Sequence, residues 1–164
     1  MDIALAEAAQ GLAENEVPIG AVAVLYGDVL AAAHWRLRPD FRLLEHPELI
    51  VLRAAEAERR LARTEREAVT LYTTLEPCLL CMGATMSFMA GRVVFALESP
   101  SDGASGVADV WRPPLGHPSG GHPYTIPHLT GGVRRDDSLA LMRQFVARNP
   151  DAAWAKTLLP PDGP

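Results

Sequence analysis

Apolar and polar positions recur with two different periods along this chain, and the switches between them mark out its elements. Ile3, Leu5, Ala9 and Leu12 predict a short amphipathic helix over residues 2–15, broken at Val17-Pro18-Ile19-Gly20. Residues 19–25 and 29–33 flank Tyr26-Gly27-Asp28 and read as the two strands of a hairpin. Residues 36–45 form a loop. A charged, Ala-rich helix follows, apolar-periodic from about Leu49 and running to about Arg63, with a strand over 69–74 after it. A further helix opens at Pro77, where proline suits the first helical position, and runs to about Met89, with Gly91 ending it before a strand over 92–97. Residues 99–132 are rich in Gly, Pro and Ser and too long for a plain connection. Within them 124–129 can form only an edge strand, because Pro127 has no N–H for a central ladder. Asp136 and Asp137 are placed to cap a last helix through Arg148, so that 136–164 is a helix plus a Pro-rich tail.

Alternation of helices with strands after an opening hairpin implies an α/β fold, a mixed sheet covered by helices. No repeat or boundary divides the chain, so a single domain over 1–164 is expected, and its length suffices for a proper core. Apolar residues make up 48%, yet no run is long enough to span a bilayer, so no membrane partner is expected. The start of the chain lacks the pattern of a signal peptide, and with two closely spaced cysteines it suggests a reducing, cytoplasmic setting. A formal net charge of −5 speaks against a binder of phosphate backbones.

The chemistry concentrates in two short stretches, His46-Pro47-Glu48 and Pro77-Cys78-Leu79-Leu80-Cys81. One imidazole and two thiolates fill three corners of a zinc tetrahedron and leave the fourth for water, the arrangement of a catalytic rather than a structural zinc. Cys78 and Cys81 are spaced to share one helix face near the positive end of the helix dipole, which favours thiolates. Glu48, two residues beyond the histidine, is not needed as a ligand and is placed to move protons. Two other readings stand beside this one. A closed site of two thiolates and two imidazoles would recruit His34, His117, His122 or His128, and a CxxC pair alone could serve redox exchange. Neither explains Glu48.

The HxE…PCxxC pattern is that of zinc-dependent nucleobase deaminases. With VPIGAVAV, LYTTLEPCLLCMGATM, GRVVFA and the ending LMRQFVARNPDAAW, the chain resembles the cytidine-deaminase-like superfamily, in the branch of tRNA adenosine deaminases, guanine deaminases and fungal-type cytosine deaminases. The resemblance implies a three-layer α-β-α sandwich with a five-stranded mixed sheet, one Zn2+ per chain on His46, Cys78 and Cys81, Glu48 as catalytic proton shuttle, and a homodimer. It implies hydrolytic deamination of a small aminated heterocycle, whether free nucleobase, nucleoside or related ring. Editing of adenosine in tRNA is the alternative, supported by Arg36, Arg38 and Arg42 but disfavoured by the acidic balance. A zinc-stabilised scaffold without activity is a third.

Two positions depart from the family. Trp35 stands where an Asn that contacts the base is usual, and Pro47 where Ala or Gly is usual. Both changes remove polar donors, so the substrate is expected to present an apolar edge there or a larger group stacking on Trp35. Cytosine and guanine are then expected to be poor substrates unless another donor substitutes. Trp111 and Trp154 are further candidates for the substrate wall, Trp154 because its segment resembles the cytosine-deaminase tail. Glu76, just before Pro77, is expected to support the site from behind or touch the substrate.

Overall fold

The structure is a computed structural model that describes residues 1–37, 42–58, 61–111 and 124–161. Its elements follow in the order α1 (Asp2–Ala13), β1 (Gly20–Leu25), β2 (Asp28–His34), α2 (Pro47–Glu58), α3 (Arg63–Ala68), β3 (Val69–Leu75), α4 (Leu79–Phe88), β4 (Arg92–Leu97), α5 (Val107–Val110), β5 (His128–Thr130) and α6 (Arg135–Arg148), with a 3-10 helix at Ala153–Leu158. One five-stranded sheet has the order β2-β1-β3-β4-β5. β1 pairs antiparallel with both β2 and β3, whereas β3–β4 and β4–β5 are parallel. The expected mixed sheet between helices is what forms. Tyr26 and Gly27 both take positive φ (54° and 95°) and turn the β1–β2 hairpin as the sequence implies.

Burial follows strand position. β4 is buried at every residue but the first, as suits a strand with neighbours on both sides, while β2 at the edge is exposed over its first half. On one face of the sheet, α2 and α4 enclose Ala21, Ala23, Val51, Leu71 and Phe88. On the other, α6 and the 3-10 helix gather Leu12, Leu97, Met142 and Phe145. α1 crosses β1 so closely that a Cβ on Gly20 would collide with the Ala4 carbonyl and the Ala8 amide. Because backbone cannot step aside as a side chain can, Gly20→Ala is expected to lower stability by about 1–3 kcal/mol or more, read as a fall in urea midpoint at unchanged slope. Among the described residues no helix is long and apolar enough to cross a membrane.

The structure corrects several boundaries. The helix after His46 is described over Pro47–Glu58 and has ended by Leu61, and a separate α3 precedes β3; no residue of α3 is buried, so it left no apolar period to read. Pro77 does not open α4: Cys78 is its N-cap and Leu79 its first residue. α4 ends on Met89 in the left-handed region (φ 73°) rather than on Gly91, whose lack of a side chain instead lets the chain pass the Glu67 carbonyl. Asp136 and Asp137 lie inside the first turn of α6, where they favour the helix dipole, and Arg134 is the N-cap. The 99–132 segment contains α5, and its edge strand is β5, beyond Pro127.

Candidate active site

The site forms beyond the carboxyl end of β3, where the starts of α2 and α4 meet. Pro47 is the first residue of α2, a position where the missing N–H would have had no intrahelical partner. His46 Nδ1 lies 3.6 Å from Cys78 Sγ and 3.3 Å from Cys81 Sγ, and the two sulfurs are 3.5 Å apart. A tetrahedral ion with bonds of about 2.0–2.3 Å holds such atoms about 3.5–3.8 Å apart, so these three residues fit zinc as three of its four ligands. No other group of three His, Cys, Asp or Glu among the described residues is so arranged. His34 is committed elsewhere: Nδ1 contacts Glu7 (2.9 Å) and Nε2 contacts Glu14 (3.2 Å). His128 lies on β5 at the far edge of the sheet, and His117 and His122 fall outside the described residues.

Burial and contact divide the protons unequally. The hydrogen bond with Cys81, helped by His46, holds the Cys78 thiol down to about 4, a thiolate at neutral pH. Cys81, beside that thiolate and buried, is pushed well above the ordinary thiol range. His46 is raised by its hydrogen bond to Cys78. Zinc requires both thiolates, so binding at neutral pH must expel the Cys81 proton, and a second one wherever His46 is charged. Zinc affinity is therefore expected to rise roughly tenfold per pH unit near neutrality, and more steeply at lower pH, in chelator competition. An affinity flat with pH would mean that Cys81 is not a ligand.

Glu48 is buried, and burial raises its carboxyl above the usual range. Thr73 Oγ1 donates to Glu48 Oε1 (2.7 Å), and Cys81 Sγ lies 3.3 Å from Oε2. Thr73, in the middle of β3, therefore aims the carboxylate. Sequence reasoning missed it because a buried threonine in a central strand is an ordinary β-branched residue there.

Two cavities border the site and share Trp35, His46, Asp102 and Leu158 in their walls. The inner one, about 30 Å³, is bordered by Trp35, Pro47, Glu48 and Cys78 and matches the space of a single water. The outer one, about 540 Å³, opens past Trp35, Asp102, Trp154 and Leu158 and is of small-ligand size. Trp35 lies with its ring centroid 4.8 Å from that of His46 and 6.2 Å from that of Trp154. Asp102, which sequence reasoning also passed over, borders both cavities.

The structure places Trp111 and Glu76 differently. Trp111 packs edge-on against Tyr124 (5.0 Å) and borders a different groove, along α4 with Leu79 and Leu80. Glu76 borders the inner cavity, but its two oxygens accept from the backbone N–H groups of Ser99 (3.0 Å) and Ser105 (3.1 Å). Its carboxylate thus holds the loop that carries Asp102, and a side chain on Gly103 would collide with it.

Residues 1–97 match the family described as the cytidine and deoxycytidylate deaminase zinc-binding region. The tRNA-specific adenosine deaminase of Bacillus subtilis is 40% identical over 106 residues, covering 65% of either protein. The tRNA(Ile)-lysidine synthase of Deinococcus deserti is 35% identical over 145 residues, 87% of this chain. The chain spans 25% of that synthase's length. A solved structure from work on A-to-I editing by tRNA:A34 deaminases at the wobble position superposes with a TM-score of 0.66 at 32% identity, over 86% of this chain and 96% of the other. With its five-stranded mixed sheet and a ligand set that fits zinc, this chain belongs to the zinc-binding cytidine and deoxycytidylate deaminase family.

Proposed function

We propose that this chain catalyses hydrolytic deamination of a small aminated heterocycle, a free nucleobase, nucleoside or related ring, releasing ammonia. The observation that carries this reading is Glu48, a buried carboxylate with a raised pKa beside the three ligand atoms. Zinc held by His46, Cys78 and Cys81 would lower the pKa of a water towards neutrality. Glu48 accepts a proton from the water, passes one to the ring nitrogen beside the amino-bearing carbon, and protonates the departing amine. The carbon exchanges its C–N bond for a C–O bond, and ammonia leaves. A raised pKa suits a group that must both take and give a proton near neutral pH. Thr73 holds the carboxylate in line, and the inner cavity beside Trp35 and Leu158 leaves room for about one water.

The outer cavity favours a small ring over a polynucleotide. None of its described lining residues is Lys or Arg, whereas nucleic-acid binding rests largely on cationic contacts to phosphate. The second reading, adenosine in tRNA, is favoured by the names of the similar proteins. An ammonia-release screen of the zinc-loaded protein tests both, using cytosine, guanine, adenine, their nucleosides, aminopterins, aminotriazines and a tRNA anticodon stem-loop. Release from a free ring supports the first reading. Release from the stem-loop alone replaces it with the second.

A further inference from the structure

Asp102 borders both cavities, yet it neither holds the metal nor moves the proton. It stands on a turn that is tied down on several sides. Glu76 accepts from the amides of Ser99 (3.0 Å) and Ser105 (3.1 Å), the Ala104 amide donates to the Pro77 carbonyl (2.9 Å), and Gly103 bridges to Cys78. A turn fixed in this way sets its side chain in place before a ligand arrives. Asp102 is exposed, so a ligand in the outer cavity can reach it. Ser99 Oγ donates to Oδ1, and Oδ2 has no hydrogen-bond partner among the described residues. The Asp102 charge is also felt at His46, where it adds to the larger effects of the Cys78 hydrogen bond and the Glu48 charge in raising the imidazole. Among the described residues around the outer cavity, Asp102 is the only acid, none is Lys or Arg, and most are aromatic or aliphatic. A ring seated among Trp35, Trp154 and Leu158 displaces water from this carboxylate, which when ionised can only accept. Left without a donor, a charged group costs more than a neutral one.

From this we infer that Asp102 is a specificity-determining residue whose carboxylate accepts a hydrogen bond from a second N–H donor of the substrate, besides the amine that leaves. The ring taken by this site then carries at least two donor groups, as a diamino heterocycle does. Because Asp102 borders the inner cavity as well as the outer one, the donor belongs to the ring rather than to a sugar further out. A carbonyl or a phosphate on that edge meets a charge of its own sign, which disfavours nucleotides. This inference rests on the deaminase reading for its choice of ligands but not for its readout.

The test uses the full zinc-loaded chain. Binding is read by titration calorimetry in the Glu48→Gln variant, so that a bound ring is not consumed, and ammonia release is read in parallel with Glu48 intact. The probes are adenine against its 2-amino derivative and 4-aminopyrimidine against its 2-amino derivative, at a pH where all are uncharged. Each pair differs by one donor group. The 2-amino member is expected to bind about tenfold tighter, the low end for a charge-assisted hydrogen bond because water also reaches Asp102. Asp102→Ala should erase that ratio with zinc content unchanged. Asp102→Asn, which keeps a neutral acceptor, should keep part of it. A ratio near one before mutation, or a ratio that survives Asp102→Ala, overturns the inference. An equal loss for both members of a pair marks a role in the loop alone and overturns it too. So does a preference confined to ribose, with adenosine favoured over its dideoxy form and only that difference lost in Asp102→Ala. Ammonia release without the ratio leaves the deaminase reading standing and sinks this inference. The ratio without ammonia from any ring keeps Asp102 and overturns the deaminase reading.

Discussion

Glu48→Gln is expected to abolish turnover while leaving the protein folded and loaded with zinc. Glutamine keeps an oxygen where Thr73 donates, so the 2.7 Å contact that aims the side chain survives. What it cannot do is take a proton from water or return one to the leaving amine. General acid–base catalysis typically supplies about 10²–10⁴-fold, and a residue serving several transfers in one cycle should sit at the upper end or beyond. The measurements are steady-state ammonia release and metal content of the same preparation. Loss of zinc in this variant would make Glu48 a ligand and the chemistry of another kind. Full activity would remove the carboxylate from the mechanism.

The other large effect is expected from Cys81→Ser. Cys81 is buried, contacts His46, Cys78 and Glu48, and lies on the first turn of α4. A serine hydroxyl is a far poorer zinc ligand than a thiolate, so metal content should fall from about one per chain to near none. The fold should weaken with it, since anything that binds only the native state adds RT ln(1 + [L]/Kd) to stability, about 4 kcal/mol at a thousandfold excess over Kd. Thermal unfolding of wild type with chelator, beside the variant with and without zinc, separates the two effects. The variant should match chelated wild type and gain nothing from added zinc. A Cys81→Ser protein that keeps zinc with wild-type stability would show that the ion is held elsewhere.

The ligand set was readable because it depends on spacing alone. HxE before a helix and PCxxC at the start of another leave few arrangements, and the sheet needed only to bring the two helix starts together. β4 was readable to the residue because its apolar run is uninterrupted and buried. What escaped notice depended on partners distant in the chain. Thr73 matters because Glu48 lies opposite it, 25 positions earlier, and Asp102 because the loop held by Glu76 brings it to both cavities. Neither residue type announces such a role. Trp111 borders a groove along α4, a placement that an aromatic beside a long loop does not announce. Trp35 borders both cavities, and its buried indole nitrogen has no partner among the described residues, which its place in the sequence does not announce.

Trp35 is anchored through its backbone and its neighbours in the chain. Its amide donates to the Ile19 carbonyl (2.9 Å), the preceding His34 ring is gripped by Glu7 and Glu14, and the Leu37 amide donates to Glu16 (3.1 Å). Gly11 leaves the room in α1 that the His34 ring fills. The backbone of this wall is thus set independently of the side chain it displays, and substitution at position 35 should change the face shown to a ligand without shifting the frame. For redesign, that makes position 35 a socket: libraries can exchange its side chain to retune ring selectivity, while Glu7, Glu14, Glu16 and His34 are the positions to leave untouched.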